Sequence, residues 1–200
     1  MRHKSANVCG GKGVSEGVKL NLGCGSRQLA GWCNVDKFGA PDLVCDLEVF
    51  PWPWADNAVS EILLSHVLEH LGATPDVFIG IMKELYRVCA NGAQVKIVVP
   101  HPRHDFFLND PTHVRPISVA TMEMFSRKLN LIWQEDGAAN TPLALYHNVD
   151  FEIVSARSIL DEPYKTRFVN KEIGPEELHM LERTLNNVVA EIEMVLTVVK

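Results

Sequence analysis

Three groups of residues in this chain carry backbone or side chains suited to chemistry. The first is Gly23-Cys24-Gly25, which ends the alternating apolar stretch Val18-Lys19-Leu20-Asn21-Leu22. Two glycines directly after a strand let backbone approach a ligand where a Cβ would take up the space. Asp36 follows, placed to accept hydrogen bonds from hydroxyls such as those of a ribose, an interaction of about 1.5–3 kcal/mol. The second group is His66-Val67-Leu68-Glu69-His70, which matches H-x-x-E-H, a pattern in which two His hold zinc and the Glu serves as base. The third is a histidine-rich stretch, His101-Pro102-Arg103-His104-Asp105 and Asn109-Asp110-Pro111-Thr112-His113-Val114-Arg115. A His near neutral pH suits removal of a proton from an acceptor. His101 is the first choice for such a base, with His113 and Asp105 behind it. Asp110 and His113 equally suit a plainer role, tying down a long loop. Arg103 and Arg115 suit either an anionic acceptor or solvent.

The elements that must hold these groups read as strands alternating with helical segments. After the opening strand, Cys33-Asn34-Val35 ends in Asp36, and only ten residues separate Gly25 from Asp36. A parallel crossover normally needs a dozen or more residues and a helix, so any helix here is one turn or missing. Asp42–Asp46 is a third strand, Phe50-Pro51-Trp52-Pro53-Trp54 a loop, and Ala58–Leu64 a fourth strand leading into the His66–His70 turn. A helix runs from Pro75 to Cys89, with Thr74 as its cap, Phe78, Ile81, Met82, Leu85 and Val88 on one face, and Asn91-Gly92 ending it. Gln94–Val99 is a fifth strand, and the polar loop after it, to Pro116, is long enough to suggest binding. A helix over Val119–Leu129, a strand near Phe151–Ala156, a helix from Pro175 with Leu178, Leu181, Leu185 and Val188 as its buried stripe, and a last strand Glu193–Val199 complete the chain. This alternation predicts one open, mostly parallel α/β sheet of seven strands, with ligands beyond the strands' carboxyl ends. Residues 1–17 read as a flexible lead-in and 18–200 as one domain.

Composition is that of a soluble globular protein: 200 residues, 46% hydrophobic, 22% charged, net charge −6. An acidic balance argues against nucleic acid as partner, and neither a membrane span nor a signal peptide is evident, so a cytoplasmic protein is expected. The five cysteines are scattered and never form C-x-x-C. Reduced, buried thiols without a catalytic role are the expectation.

In combination, Leu20–Gly25, Gly31-Trp32-Cys33-Asn34-Val35-Asp36, Asp46-Leu47, Val67–His70 and Glu84–Val88 through Asn91-Gly92 resemble the class I S-adenosylmethionine-dependent methyltransferases, especially their small-molecule, type 11-like branch. The resemblance covers about Val18 to Arg115. It implies a Rossmann-like fold with helices on both faces of the sheet, S-adenosylmethionine as cofactor, and a small-molecule or carrier- or sugar-linked acceptor methylated on O or N. It implies cofactor contacts from Leu22, Gly23, Cys24, Gly25, Asp36, Lys37, Asp46, Leu47, Ser65 and His66. Asp46 with the Leu47 backbone would read the adenine, and Ser65-His66 would line the cofactor's other side.

The residues support this cofactor on their own. A dinucleotide fingerprint wants a third glycine three residues after the second, beside a helix N-terminus that takes the pyrophosphate; this chain has Gln28 there. A nicotinamide-dependent oxidoreductase is therefore the weaker reading, and a noncatalytic domain of the same fold a third. H-x-x-E-H here follows a strand directly and lacks the long helix a zinc peptidase needs, so no metal is expected. The truncated first crossover predicts a pocket that is open or completed by a partner chain, as in a homodimer.

Overall fold

The structure, a computed structural model, describes Cys9 and residues 17–200. The lead-in expected over residues 1–17 otherwise lies outside the described residues. Among the described residues seven strands form: β1 (Val18–Leu22), β2 (Cys33–Asp36), β3 (Leu43–Val44), β4 (Val59–Ser65), β5 (Cys89–Pro100), β6 (Phe151–Leu160) and β7 (Val189–Val198). They make one sheet in the order β3-β2-β1-β4-β5-β7-β6. The central position of β1 explains its composition, since Leu20, Asn21 and Leu22 are all buried between two parallel neighbours.

The sheet is mixed rather than simply parallel. β1 to β5 pair in parallel, whereas β7 runs antiparallel to both β5 and β6. A dinucleotide sheet has the order 3-2-1-4-5-6; here an antiparallel strand is inserted between β5 and β6. Alternating apolar residues mark β7 as a strand, but they carry no direction.

The helix Pro75–Val88 buries Phe78, Ile81, Met82, Leu85 and Val88, as its period predicts, and Thr74 stands at its N-cap without a side-chain bond. It ends sooner than expected because Cys89 already pairs with Val59. Asn91-Gly92 therefore lies inside β5. The helix expected over Val119–Leu129 is two, Val119–Glu123 and Arg127–Glu135, because Ser118 and Ser126 each cap one. Leu143–His147 and Tyr164–Val169 are further short helices. Pro175–Thr184 is helical but buries none of its residues, so its apolar stripe is only half covered; Leu185 is exposed, and buried Val188 lies past its end.

Cys9 and Cys33 are joined in a disulfide, against the expectation of reduced thiols; Cys24, Cys45 and Cys89 are free. Their pairing depends on the chain bringing Cys9 over β2, which no spacing rule encodes. Among the described residues no helix is long and apolar enough to cross a membrane.

Candidate functional site

The parallel strands β2, β1 and β4 present their carboxyl ends along one edge, and the expected cofactor residues follow from that. Gly23, just after β1, has φ +63°, and a Cβ there would stand 2.4 Å from Val67 Cγ2. Only glycine fits on both counts. Gly25 also has positive φ, and its N–H donates to Asp36 Oδ2 at 2.9 Å. The Phe38 N–H donates to Asp36 Oδ1 at 2.9 Å. Asp36 thus fastens the glycine turn to the end of β2 and still has acceptor capacity, since a carboxylate offers about four lone-pair sites.

The missing crossover helix is replaced by buried amides. Asn34 Oδ1 accepts from the Leu29 N–H at 2.7 Å and from Asn21 Nδ2 at 2.9 Å, and Asn34 Nδ2 donates to Asp42 and to the Leu29 carbonyl. Asn21 Nδ2 also donates to the Arg27 carbonyl at 2.8 Å. Sequence reasoning passed over Asn21; its signal was a polar residue inside an otherwise apolar central strand.

A cavity of about 480 Å³ opens at this edge, within the roughly 300–1,000 Å³ usual for small-ligand sites. Of the ten residues expected to hold a cofactor, Gly23, Asp36, Lys37, Asp46, Leu47 and His66 line it. Leu22 and Cys24 are buried, and burial pushes the Cys24 thiol up. Gly25 and Ser65 are not among the lining residues. Phe38, Val67, His70, Leu71 and Thr112 join the wall without having been expected there. Asp46 holds the turn after β3, accepting the Glu48 N–H at 3.0 Å, and its Oδ2 lies 3.6 Å from Lys37 Nζ.

His66 adopts φ +56° and donates its N–H to the Val98 carbonyl. Its ring lies between Glu69, 3.6 Å from Nδ1, and Glu191, 3.1 Å from Nε2. Glu69 foremost, with Glu191, raises its proton affinity against the effect of partial burial. With His66 outside the short helix Leu68–His70, the zinc-peptidase arrangement of two His on one helix face does not form.

The residues expected to act on the acceptor are spread out, and none of His101, Asp105 and His113 lines the cavity. His101 Nδ1 accepts from the Arg103 N–H at 3.2 Å. Burial, then the Arg103 and His104 charges, lower its proton affinity. Asp105 is exposed at the start of the short helix Asp105–Leu108. His104 is buried and structural, its ring joined to Asp161 Oδ2 at 2.9 Å and to the Phe106 N–H. His113 packs edge-on against the cavity residue His70, ring centroids 4.5 Å apart. Arg115 lies over Phe78 and donates to the Gly72 carbonyl, a structural place rather than an open anion site.

No protein-family model and no curated protein matches the chain. Solved structures do. A SAM-dependent methyltransferase from Archaeoglobus fulgidus superposes with TM-score 0.56 at 17% identity, over 92% of this chain and 86% of that one. One from Methanosarcina mazei gives 0.53 at 13%, over 92% and 93%. A Burkholderia thailandensis 1,6-didemethyltoxoflavin-N1-methyltransferase with bound S-adenosylhomocysteine gives 0.51 at 11%, over 92% and 72%. The antiparallel strand set into an otherwise parallel sheet, the glycine turn and these superpositions together show that the chain has the fold of the class I S-adenosylmethionine-dependent methyltransferases.

Proposed function

We propose that this chain binds S-adenosylmethionine in the cavity at the ends of β1 to β4 and transfers its methyl group to O or N of a small-molecule or carrier- or sugar-linked acceptor. One observation carries the reading: a glycine with no room for a Cβ and two strand-end carboxylates, Asp36 and Asp46, border a single cavity. The chain lacks a helix between β1 and β2, so no crossover helix follows the glycine turn to receive a pyrophosphate. Two carboxylates beside one lysine and two histidines leave the cavity without the cluster of fixed cations a pyrophosphate would favour.

In this reading Asp36 accepts the ribose hydroxyls through the lone pairs its two backbone partners leave free. Asp46 and Leu47 border the base, with the exposed Phe38 ring available to stack on it. Leu22 and Cys24 support the turn from below, while Gly25 and Ser65 adjoin it. Bound there, the cofactor supplies a methyl carbon activated by its sulfonium, so the protein's own task is to position the acceptor and, for oxygen, to accept a proton. His101, Asp105 and His113 remain the proposed acceptor-side groups, with His70 at the wall between His113 and the cavity. Unchanged turnover in both His101→Ala and His113→Ala would remove general-base catalysis from this loop.

Calorimetric titration with S-adenosylhomocysteine tests the cofactor. Binding is expected, and Asp36→Ala is expected to weaken it roughly 10- to 100-fold. Absence of heat at millimolar ligand with folded protein refutes the reading. Thermal stabilisation by NAD and not by S-adenosylmethionine would favour the oxidoreductase instead.

A further inference from the structure

Beside the cavity stands a cluster of metal-ligating side chains, of which His113 is also an acceptor-side candidate and Glu69 and His70 are not. Glu69, His70 and His113 each place a ligand atom within 4.8 Å of the others. Glu69 is 1% exposed, and among the described residues neither of its carboxylate oxygens has a hydrogen-bond partner. His66 Nδ1 is 3.6 Å away, beyond hydrogen-bond distance. A buried carboxylate left without a hydrogen bond, its nearest charge partner being His66 at 3.6 Å, is costly, and coordination to a metal is one arrangement that offsets this.

The two histidines are oriented as ligands. His113 Nδ1 meets the Phe107 carbonyl at 2.9 Å, and a carbonyl only accepts, so Nδ1 carries the proton. Thr112 gives its hydroxyl proton to Asp110 Oδ1 at 2.6 Å, so its oxygen accepts from His70 Nδ1 at 2.9 Å. In the neutral ring each Nε2 keeps its lone pair, that of His113 lying 3.7 Å from Asp110 Oδ2. Fixing a ring through Nδ1–H to a carbonyl, or through a hydroxyl to a carboxylate, is the outer support that metal-binding histidines use. The loop is tied to the same place by backbone, since the Val114 and Arg115 N–H groups donate to the Glu69 carbonyl at 2.9 and 3.3 Å.

We propose that Glu69, His70 and His113 form a binding site for one divalent transition-metal cation of the zinc class, at the wall of the cavity. Two imidazoles with a carboxylate select such ions over magnesium and calcium, which prefer all-oxygen sites. Bonds of about 2.0–2.2 Å put two donors of one ion at most roughly 4.4 Å apart, so the cluster closes with small side-chain rotations. The site differs from the peptidase pattern in the same segment: Glu69 is a ligand rather than a base, and His113 replaces His66. It stands whatever the chain methylates.

The test uses the full chain freed of metal by chelator and titrated calorimetrically with Zn²⁺, then with Co²⁺ followed by visible absorption. One equivalent is expected, with cobalt d–d bands and without the near-ultraviolet thiolate band that Cys24, Cys45 or Cys89 would give. His70→Ala, His113→Ala and Glu69→Gln, each checked as folded by circular dichroism, should each weaken binding at least about 100-fold, and Thr112→Ala about 10- to 100-fold through loss of ring orientation. The remote His147→Ala should bind as the parent does. Substoichiometric binding, a thiolate band, preference for Mg²⁺ over Zn²⁺, or affinity undiminished in His70→Ala and His113→Ala would overturn the proposal.

Discussion

Glu69 and Glu84 are both withdrawn from solvent, at 1% and 8% exposure, and stand in opposite chemical situations. Glu84 is saturated. Its Oε1 accepts from Arg87 Nε at 2.7 Å, and its Oε2 from Arg87 Nη2 at 2.7 Å and from the Trp52 N–H at 2.6 Å. Arg87 continues to Asp56 at 2.7 Å and to the Trp54 and Trp52 carbonyls. The Phe50–Trp54 loop, which lacks regular structure to hold it, is pinned to the helix Pro75–Val88 by this fork. Glu69 has no such closure. A carboxylate whose hydrogen bonds all come from the chain serves the fold, and one buried with no hydrogen bond among the described residues, only the His66 ring 3.6 Å away, is available to something more.

Breaking the saturated side should have the largest effect. Arg87→Ala leaves Glu84 buried without its bidentate partner and frees two carbonyls, and is expected to cost about 2–4 kcal/mol, toward the lower part of the range for a broken buried pair because Arg87 is partly exposed. Urea unfolding measures it. Next is Gly23→Ala, which places a Cβ into Val67 at positive φ and should destabilise by about 1–3 kcal/mol while abolishing S-adenosylhomocysteine binding. Intact ligand affinity in that variant would show that the glycine turn serves packing alone.

The pH dependence of Glu84 separates the two carboxylates further. Burial raises its pKa, but the Arg87 hydrogen bonds, the Trp52 N–H and the Arg87 charge outweigh this and hold it below the ordinary glutamate value. A depressed folded-state pKa contributes stability that is complete above the unfolded value, about 4.3, and is lost as pH falls through the folded one. Unfolding free energies measured from pH 6 downward should fall less steeply in Glu84→Gln than in the parent. The smallest effect is expected on the open side: Glu69→Gln, in metal-free protein, should change stability by less than about 0.5 kcal/mol or raise it, because no hydrogen bond is broken. A loss comparable with that of Arg87→Ala would erase the distinction between the two glutamates.

Much of the cavity edge was legible because its signals are local. The alternation of Val18–Leu22, the two glycines, the short span to Asp36 and the amphipathic face after Pro75 each depend on residues a few positions apart, and each appears where expected. Six of the expected cofactor residues meet in one cavity for the same reason, since parallel strands gather their carboxyl ends. The histidine-rich loop was less legible. His101, Asp105 and His113 share a loop in sequence, yet hydrogen bonds to distant partners decide where such a loop runs, as when Asp105 takes Asn187 Oδ1 and His101 takes the Ala190 carbonyl. The break at Ser126 had a local cap signal, masked by the helical spacing of Met122, Phe125 and Leu129 across it.

The sequence by itself determined the short-range features: which segments are strands, where the glycine turn falls, that a full crossover helix cannot fit before Asp36, and that an acid ends β2. Tertiary structure alone decided the antiparallel course of β7 between β5 and β6, the Cys9–Cys33 bridge, the half-covered face of Pro175–Thr184 and the meeting of Glu69 with His113. Periodicity and turn chemistry act between neighbours along the chain. Strand direction, disulfide pairing and a cluster built from a short helix and a distant loop depend on which residues packing brings together.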